Sequence, residues 1–165
     1  MALYTIAPVA FAEVSISGLE GKVKDNVRLM LSMEKQKCDA PEWKIRGLYA
    51  KADQEIDEGM RALGYYHAVV KKSLAFGKGC WKADFDISPG PRVHVKDISI
   101  TIDGAAHNDP EFQKLQVKLL KTTGSPLDHA QYEKMKRRIL SLALERGYLK
   151  GAFTENKLLV DKELN

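Results

Sequence analysis

Val14-Ser15-Ile16-Ser17-Gly18 alternates apolar and polar residues, the period of a half-buried strand, and stops at a glycine. From Lys22 the period changes. Val23, Val27, Met30 and Leu31 fall on one face of a short helix that the spacing carries to about Glu34. A polar stretch to Asp39 interrupts it, and Pro41 stands where a first helical turn tolerates proline. Ile45, Leu48, Tyr49, Ala52, Ile56, Met60 and Leu63 then hold a helical stripe, with Gly64 placed as a left-handed cap. Tyr65 to Phe76, with Val69, Val70 and Leu74, and Cys80 to Ile87, with Trp81, Ala83, Phe85 and Ile87 in strict alternation, predict two strands. Gly77-Lys78-Gly79 joins them as a hairpin, and Ser88-Pro89-Gly90-Pro91 ends the unit.

The pattern then starts again. Val95, Ile98, Ile100 and Ile102 predict a strand ending at Asp103-Gly104. Phe112, Leu115, Leu119 and Leu120 predict a helix from Asp109 to Lys121, with Asn108 or Asp109 as cap and Pro110 in the first turn. Thr122-Thr123-Gly124-Ser125-Pro126 breaks it. A second helix from Asp128 carries Tyr132, Met135, Ile139, Leu142 and Ala143 and stops at Gly147, and the chain is strand-like from Ala152. Tyr49 and Tyr132, Ile56 and Ile139, Gly64 and Gly147, and Tyr65 and Tyr148 are all 83 residues apart. Two tandem β-α-α-β-β units follow, an α+β organisation over residues 13–90 and 91–165. The same offset projects the partner of Trp81–Ile87 onto about 164–170, so the second unit is expected to lack its last strand, the alternative being that Leu158 to Leu164 takes its place after a very tight turn.

Length is consistent with that division. The chain has 165 residues, and a unit of about 80 residues still buries a usable core. A composition 44% hydrophobic and 29% charged is that of a folding, globular chain. No apolar run reaches the roughly 20 residues of a membrane-spanning helix. The formal charge is +4, and its excess is local: between Glu111 and Lys150 nine basic residues face four acidic ones. Only Phe112, Tyr132 and Tyr148 accompany that charge, at positions that fit a core, so a nucleic-acid interface is not expected. A solvated helix face, or attraction to anionic lipid or a protein partner, fits better.

Met1 to Ala12 is apolar and closes in Ala10-Phe11-Ala12, like the hydrophobic part and small-x-small cleavage site of a secretory signal. The basic region that should precede it is absent, so residues 1–12 read as a signal-peptide remnant or as an apolar tail or first strand. Under the signal reading the mature protein begins near Glu13, in an oxidising compartment. Cys38 and Cys80 then become a candidate pair, without zinc-site or Cys-x-x-Cys spacing.

Catalytic chemistry finds no support. His67, His94, His107 and His129 are isolated, Gly77-Lys78-Gly79 lacks the Lys-Ser/Thr of a phosphate loop, and no Gly-x-Ser-x-Gly occurs. Asp53, Glu55, Asp57 and Glu58 read as a solvated helix face rather than paired acids. The expectation is a binding protein with no catalytic residues, metal or cofactor.

Two β-α-α-β-β units, Ala62-Leu63-Gly64-Tyr65-Tyr66 at a helix end with its counterpart Arg146-Gly147-Tyr148, and Ser88-Pro89-Gly90-Pro91-Arg92-Val93 between units resemble POTRA domains of outer-membrane assembly proteins. Val14-Ser15-Ile16-Ser17-Gly18-Leu19-Glu20-Gly21, followed by Val27-Arg28, is most similar to the TamA-like branch of the superfamily that includes BamA. The resemblance implies a three-stranded mixed sheet with two helices on one face in each unit. It implies the periplasmic arm of an outer-membrane protein that assembles or translocates other proteins, autotransporters among them. The implied partners are an inner-membrane-anchored, TamB-like subunit, unfolded outer-membrane proteins and a C-terminal barrel of the same chain; nucleic acid is not among them. A POTRA pair of a two-partner secretion transporter, or of a cell-division protein, is the alternative.

The POTRA plan brings the helix–helix loop and the hairpin to one end of the first unit, which places Cys38 and Cys80 for a disulfide or leaves them as two buried thiols. Its second strand is commonly a free sheet edge. Val69, Val70, Lys71, Lys72, Ser73 and Leu74 are therefore the candidate peptide-docking edge, with Lys71 and Lys72 alternatively acting as gatekeepers against aggregation.

Overall fold

The apolar alternation of the first unit becomes a three-stranded sheet. In the computed structural model, which describes residues 12–161, the strands are β1 (Glu13–Ser17), β2 (Val69–Gly77) and β3 (Cys80–Ser88), ordered β1-β3-β2. β3 is central, parallel to β1 and antiparallel to β2. All four of its apolar positions, Trp81, Ala83, Phe85 and Ile87, are buried. Ile16 lies opposite Phe85, and Val70 opposite Ile87, so the three strands turn one apolar face the same way. The other face carries Ser15 and Ser73 on either side of Asp84, and Ser17 and Lys71 on either side of Asp86, a polar surface that needs no cover.

The helices α1 (Gly21–Met30) and α2 (Glu42–Arg61) cover the apolar face. Ile45, Ala52, Ile56 and Met60 of the α2 stripe are fully buried, and Tyr49 of α2 meets Phe85 at 6.1 Å between ring centroids. α1 is shorter than its periodicity predicts. Leu31 is extended (ψ 107°), and a 3₁₀ turn, Ser32–Lys35, follows. Glu55 of α2 accepts hydrogen bonds from Ser32 N (2.9 Å) and Ser32 Oγ (2.5 Å), capping that turn from outside the local sequence. The break lets Leu31 and Met33 both enter the core. Where β1 ends, Gly18 has φ +78°, and a Cβ there would stand 2.1 Å from the carbonyl oxygen of Ile87. Only glycine fits both constraints.

By its internal contacts the chain divides into two units, the first comprising residues up to Arg61 with His67–Gly90, the second Ala62–Tyr66 with residues from Pro91 onward. β2 accordingly begins four residues later than the sequence pattern suggests. Gly64 turns the chain at φ +88°, and Tyr65 bridges Arg92 in the second unit. Arg92 Nε donates to the carbonyl of Leu63 (2.7 Å), and its guanidinium lies over the Tyr65 ring.

The second unit contains α3 (Pro110–Leu120) and α4 (His129–Glu145), close to their predicted limits. Phe112, Leu142 and Ala143 form a buried cluster with Ile102, Leu115, Ile139 and Tyr148 against it. Asp109 caps α3 by accepting from Glu111 N (2.9 Å), and its other oxygen accepts from Arg146 Nε (2.9 Å) and the Tyr148 hydroxyl (3.1 Å). The hydrogen bond from Arg146 holds the Asp109 carboxyl below the usual carboxylate range, against the opposing effect of burial.

The strands predicted at Val95–Ile102 and from Ala152 do not form among the described residues. Chain reversals and single bridges take their place, with Val95 exchanging backbone hydrogen bonds with Ser125 and Gly124 (2.9 and 2.7 Å). Unit 1 explains the difference. There β3 pairs with both other strands, which never touch each other. Unit 2 holds patterns matching β1 and β2, but among its described residues none pairs as β3 does. Two outer strands without a middle one have no ladder to join. The three-stranded sheet expected of each unit is therefore present in unit 1 alone among the described residues. The signal-remnant reading of residues 1–12 falls almost wholly outside them.

Candidate docking edge

β2 ends the sheet on one side, nine residues long and, among the described residues, with only β3 for a neighbour. Its register fixes what the free side offers. The two-residue turn Lys78-Gly79 pairs Gly77 with Cys80, and a turn of this size closes on a hydrogen-bonded pair. Counting back by alternation, Val70, Lys72 and Leu74 direct their N–H and C=O groups outward. The same three residues are half-buried and face the helices, whereas Val69, Lys71, Ser73 and Ala75 are exposed on the open face. The edge thus presents a run of free main-chain donors and acceptors directly beside a helix.

Between this edge and α2 lies a cavity of about 360 Å³ lined by Asp53, Ile56, Asp57, Ala68, Val70 and Lys72. Lys72 spans it. Its Nζ donates to the carbonyl of Tyr49 (2.9 Å) and to Asp53 Oδ2 (2.6 Å), and sits 4.5 Å from the centre of the Tyr49 ring. Lys72 is therefore no solvated charge on the rim; it is an inward-pointing lysine latched to α2. Lys71 lies opposite Asp86 on the open face. The six edge residues come together as one strand, but the two lysines do different things. Parity carried this information: Lys72 shares its phase with Val70 and Leu74.

The acidic residues of α2 are likewise more engaged than a solvated run. Asp53 holds Lys72, Glu55 caps the 3₁₀ turn, Asp57 pairs with Arg61 at 2.8 Å, and Glu58 accepts from Gln54. Of the histidines, His129 meets the Tyr66 hydroxyl at 3.0 Å and His107 Nδ1 meets the Ile102 carbonyl at 2.9 Å. Among the described residues no cluster of His, Cys, Asp or Glu has the arrangement of a metal site.

The far end of the edge is anchored. A disulfide joins Cys38, in the loop before α2, to Cys80, the first residue of β3, with the two Cα atoms 4.3 Å apart. Trp81 Nε1 donates to the Lys37 carbonyl (3.0 Å) beside it, and Arg46 of α2 lies over the Phe76 ring at 4.9 Å. The β2–β3 hairpin is thus tied to the helices where a hairpin tip would otherwise be free. No described helix is long and apolar enough to cross a membrane.

Residues 13–89, from β1 through β3, match the family model described as the POTRA domain of TamA, domain 1. The match covers the element order, the mixed sheet and the glycine-ended helix just described, and with them unit 1 is a POTRA domain of a TamA-like protein.

Proposed function

We propose that this chain is the docking arm of an outer-membrane assembly protein, working in the periplasm, and that the β2 edge of unit 1 receives extended polypeptide by strand addition. One observation carries the reading: main-chain groups of Val70, Lys72 and Leu74 are free along an edge that borders a groove. Main-chain pairing supplies affinity without strict sequence, which suits clients sharing only β-propensity, such as unfolded outer-membrane barrels. Every second side chain of an added strand would enter the groove beside Ile56 and Val70. The same arm recruits an inner-membrane-anchored, TamB-like subunit, and it does so as a scaffold without chemistry. Unit 2 is read as a second POTRA domain on the repeat of the helix pair and of the glycine that follows it.

The gatekeeping reading of the lysines draws support from Lys72, because inward-pointing charges blunt sheet edges. It is compatible with docking: a latch that a specific peptide displaces still deters unspecific pairing. Val70→Pro tests the docking. It removes an outward N–H and leaves the ladder to β3 intact, so crosslinking of an unfolded barrel protein to a photoreactive group at Ser73 should be lost while circular dichroism is unchanged. Undiminished crosslinking in a folded V70P chain would refute strand addition at this edge.

A further inference from the structure

The second unit carries a feature that the docking edge does not use. α3 and α4 turn their apolar stripes to one cluster, Phe112 from α3 and Leu142 and Ala143 from α4. The residues opposite those stripes therefore face away from that cluster on each helix. On α3 they are Lys114 and Lys118, followed at the C-terminal cap by Lys121, at i, i+4 and i+7; on α4 they include Lys134, Arg137 and Arg138. Every one of the six is exposed. Lys114 and Arg138 pair with Glu111 and Glu145. Lys118, Lys121, Lys134 and Arg137 make no ion pair among the described residues. The same two helices carry large apolar side chains that the core does not take up: Val117 is 57% exposed and Leu144 62% exposed.

We infer that this face of unit 2 lies against anionic phospholipid. Positive charge without acidic partners, interleaved with exposed aliphatic side chains on a helix surface, is the composition of an interfacial face. The cations meet headgroups while Val117 and Leu144 reach the acyl boundary. The chemistry of the charges favours lipid over an acidic protein. Three of the four free cations are lysines, flexible point charges suited to a fluid array of headgroups, whereas fixed carboxylates are better met by oriented arginine forks. Each cation near an anionic surface contributes roughly a factor of five in partitioning.

The test is flotation of the 165-residue chain with vesicles of phosphatidylcholine alone and of phosphatidylcholine enriched in phosphatidylglycerol. Binding should require the anionic lipid and weaken as salt is raised. The variant K118Q/K121Q/K134Q/R137Q should bind at least about tenfold less with an unchanged circular dichroism spectrum, and V117S/L144S should lose the portion of binding that survives high salt. The milder K118Q/K134Q pair gives the same readout should the fourfold variant misfold. Equal binding to neutral vesicles, or undiminished binding by either charge variant, overturns the proposal. So does capture by immobilised polyglutamate with no vesicle binding, which would assign the face to an acidic protein.

Discussion

Unit 1 has three paired strands and unit 2 has none among the described residues, although both carry a helix pair with a matching apolar stripe and a left-handed glycine at the end of the second helix. Among the described residues the difference is one of strand pairing. In unit 1, β3 supplies four buried side chains and the hydrogen bonds of both neighbours; remove it and β1 and β2 lose all pairing at once. Helices survive such a loss because their backbone bonds are internal. Strands do not, because theirs belong to the partner. Unit 2 therefore keeps α3 and α4 over a small cluster, while Val95–Ile102 keeps the alternation of a strand without its ladder.

The contrast can be broken most strongly at Phe85. It is 1% exposed at the middle of the central strand, and Phe85→Ala should cost unit 1 about 3–5 kcal/mol of stability. Phe112→Ala removes the same side chain from a cluster bordered by open space. A site that can collapse pays less for its cavity, so its cost should lie at or below the bottom of that range. Amide exchange measured residue by residue checks both: F85A should release β1 and β3 together and leave α4 protected. Equal costs at the two sites would mean that the two cores are alike.

The disulfide sharpens the same contrast at a somewhat smaller cost. Cys38 and Cys80 are 42 residues apart in sequence, and closing a loop of that length stabilises the folded state by roughly 4 kcal/mol in the chain-entropy account, commonly less in practice. Reduction, or Cys38→Ser with Cys80→Ser, should lower the denaturant midpoint of unit 1 and leave that of unit 2 in place. Mass spectrometry of the unreduced chain, two hydrogens lighter than its dithiol form, establishes the bond independently.

What periodicity made legible follows the same division between internal and borrowed bonds. The α2 stripe and the strict alternation of β3 are properties of one segment, and Ile45, Ile56, Phe85 and Ile87 are all in the core where their spacing put them. The early end of α1 was not legible, because Glu55, more than twenty residues away, caps the turn that ends it. Nor was the late start of β2, set by the bridge from Tyr65 to Arg92. The order β1-β3-β2, which makes β2 an edge, is a fact of pairing that no period carries; it entered through the family resemblance. Within the candidate site, the inward turn of Lys72 was readable from its phase with Val70 and Leu74, but its partners on α2 were not.

Acid provides the gentlest distinction. The Asp109 carboxyl is held below its ordinary value by the hydrogen bond from Arg146, with further bonds from Glu111 N and the Tyr148 hydroxyl. A carboxyl whose folded pKa lies below its unfolded value, about 4, contributes stability that is present above that value and lost as the pH falls through the folded one. Unit 2 should therefore loosen on acidification below about pH 4, seen as exposure of the Asp109 cap and faster exchange in the first turn of α3. In Asp109→Asn the cap is weaker at neutral pH and its own part of the acid dependence is gone, so the two chains should converge as the pH falls. Tyr148→Phe removes one of the bonds to the carboxylate, which should bring its folded pKa closer to the unfolded value and shrink the stability lost on acidification. If D109N retained the full acid response, another carboxyl would be responsible, and the tie between the α3 cap and the Gly147-Tyr148 helix end would not be what acid breaks in unit 2.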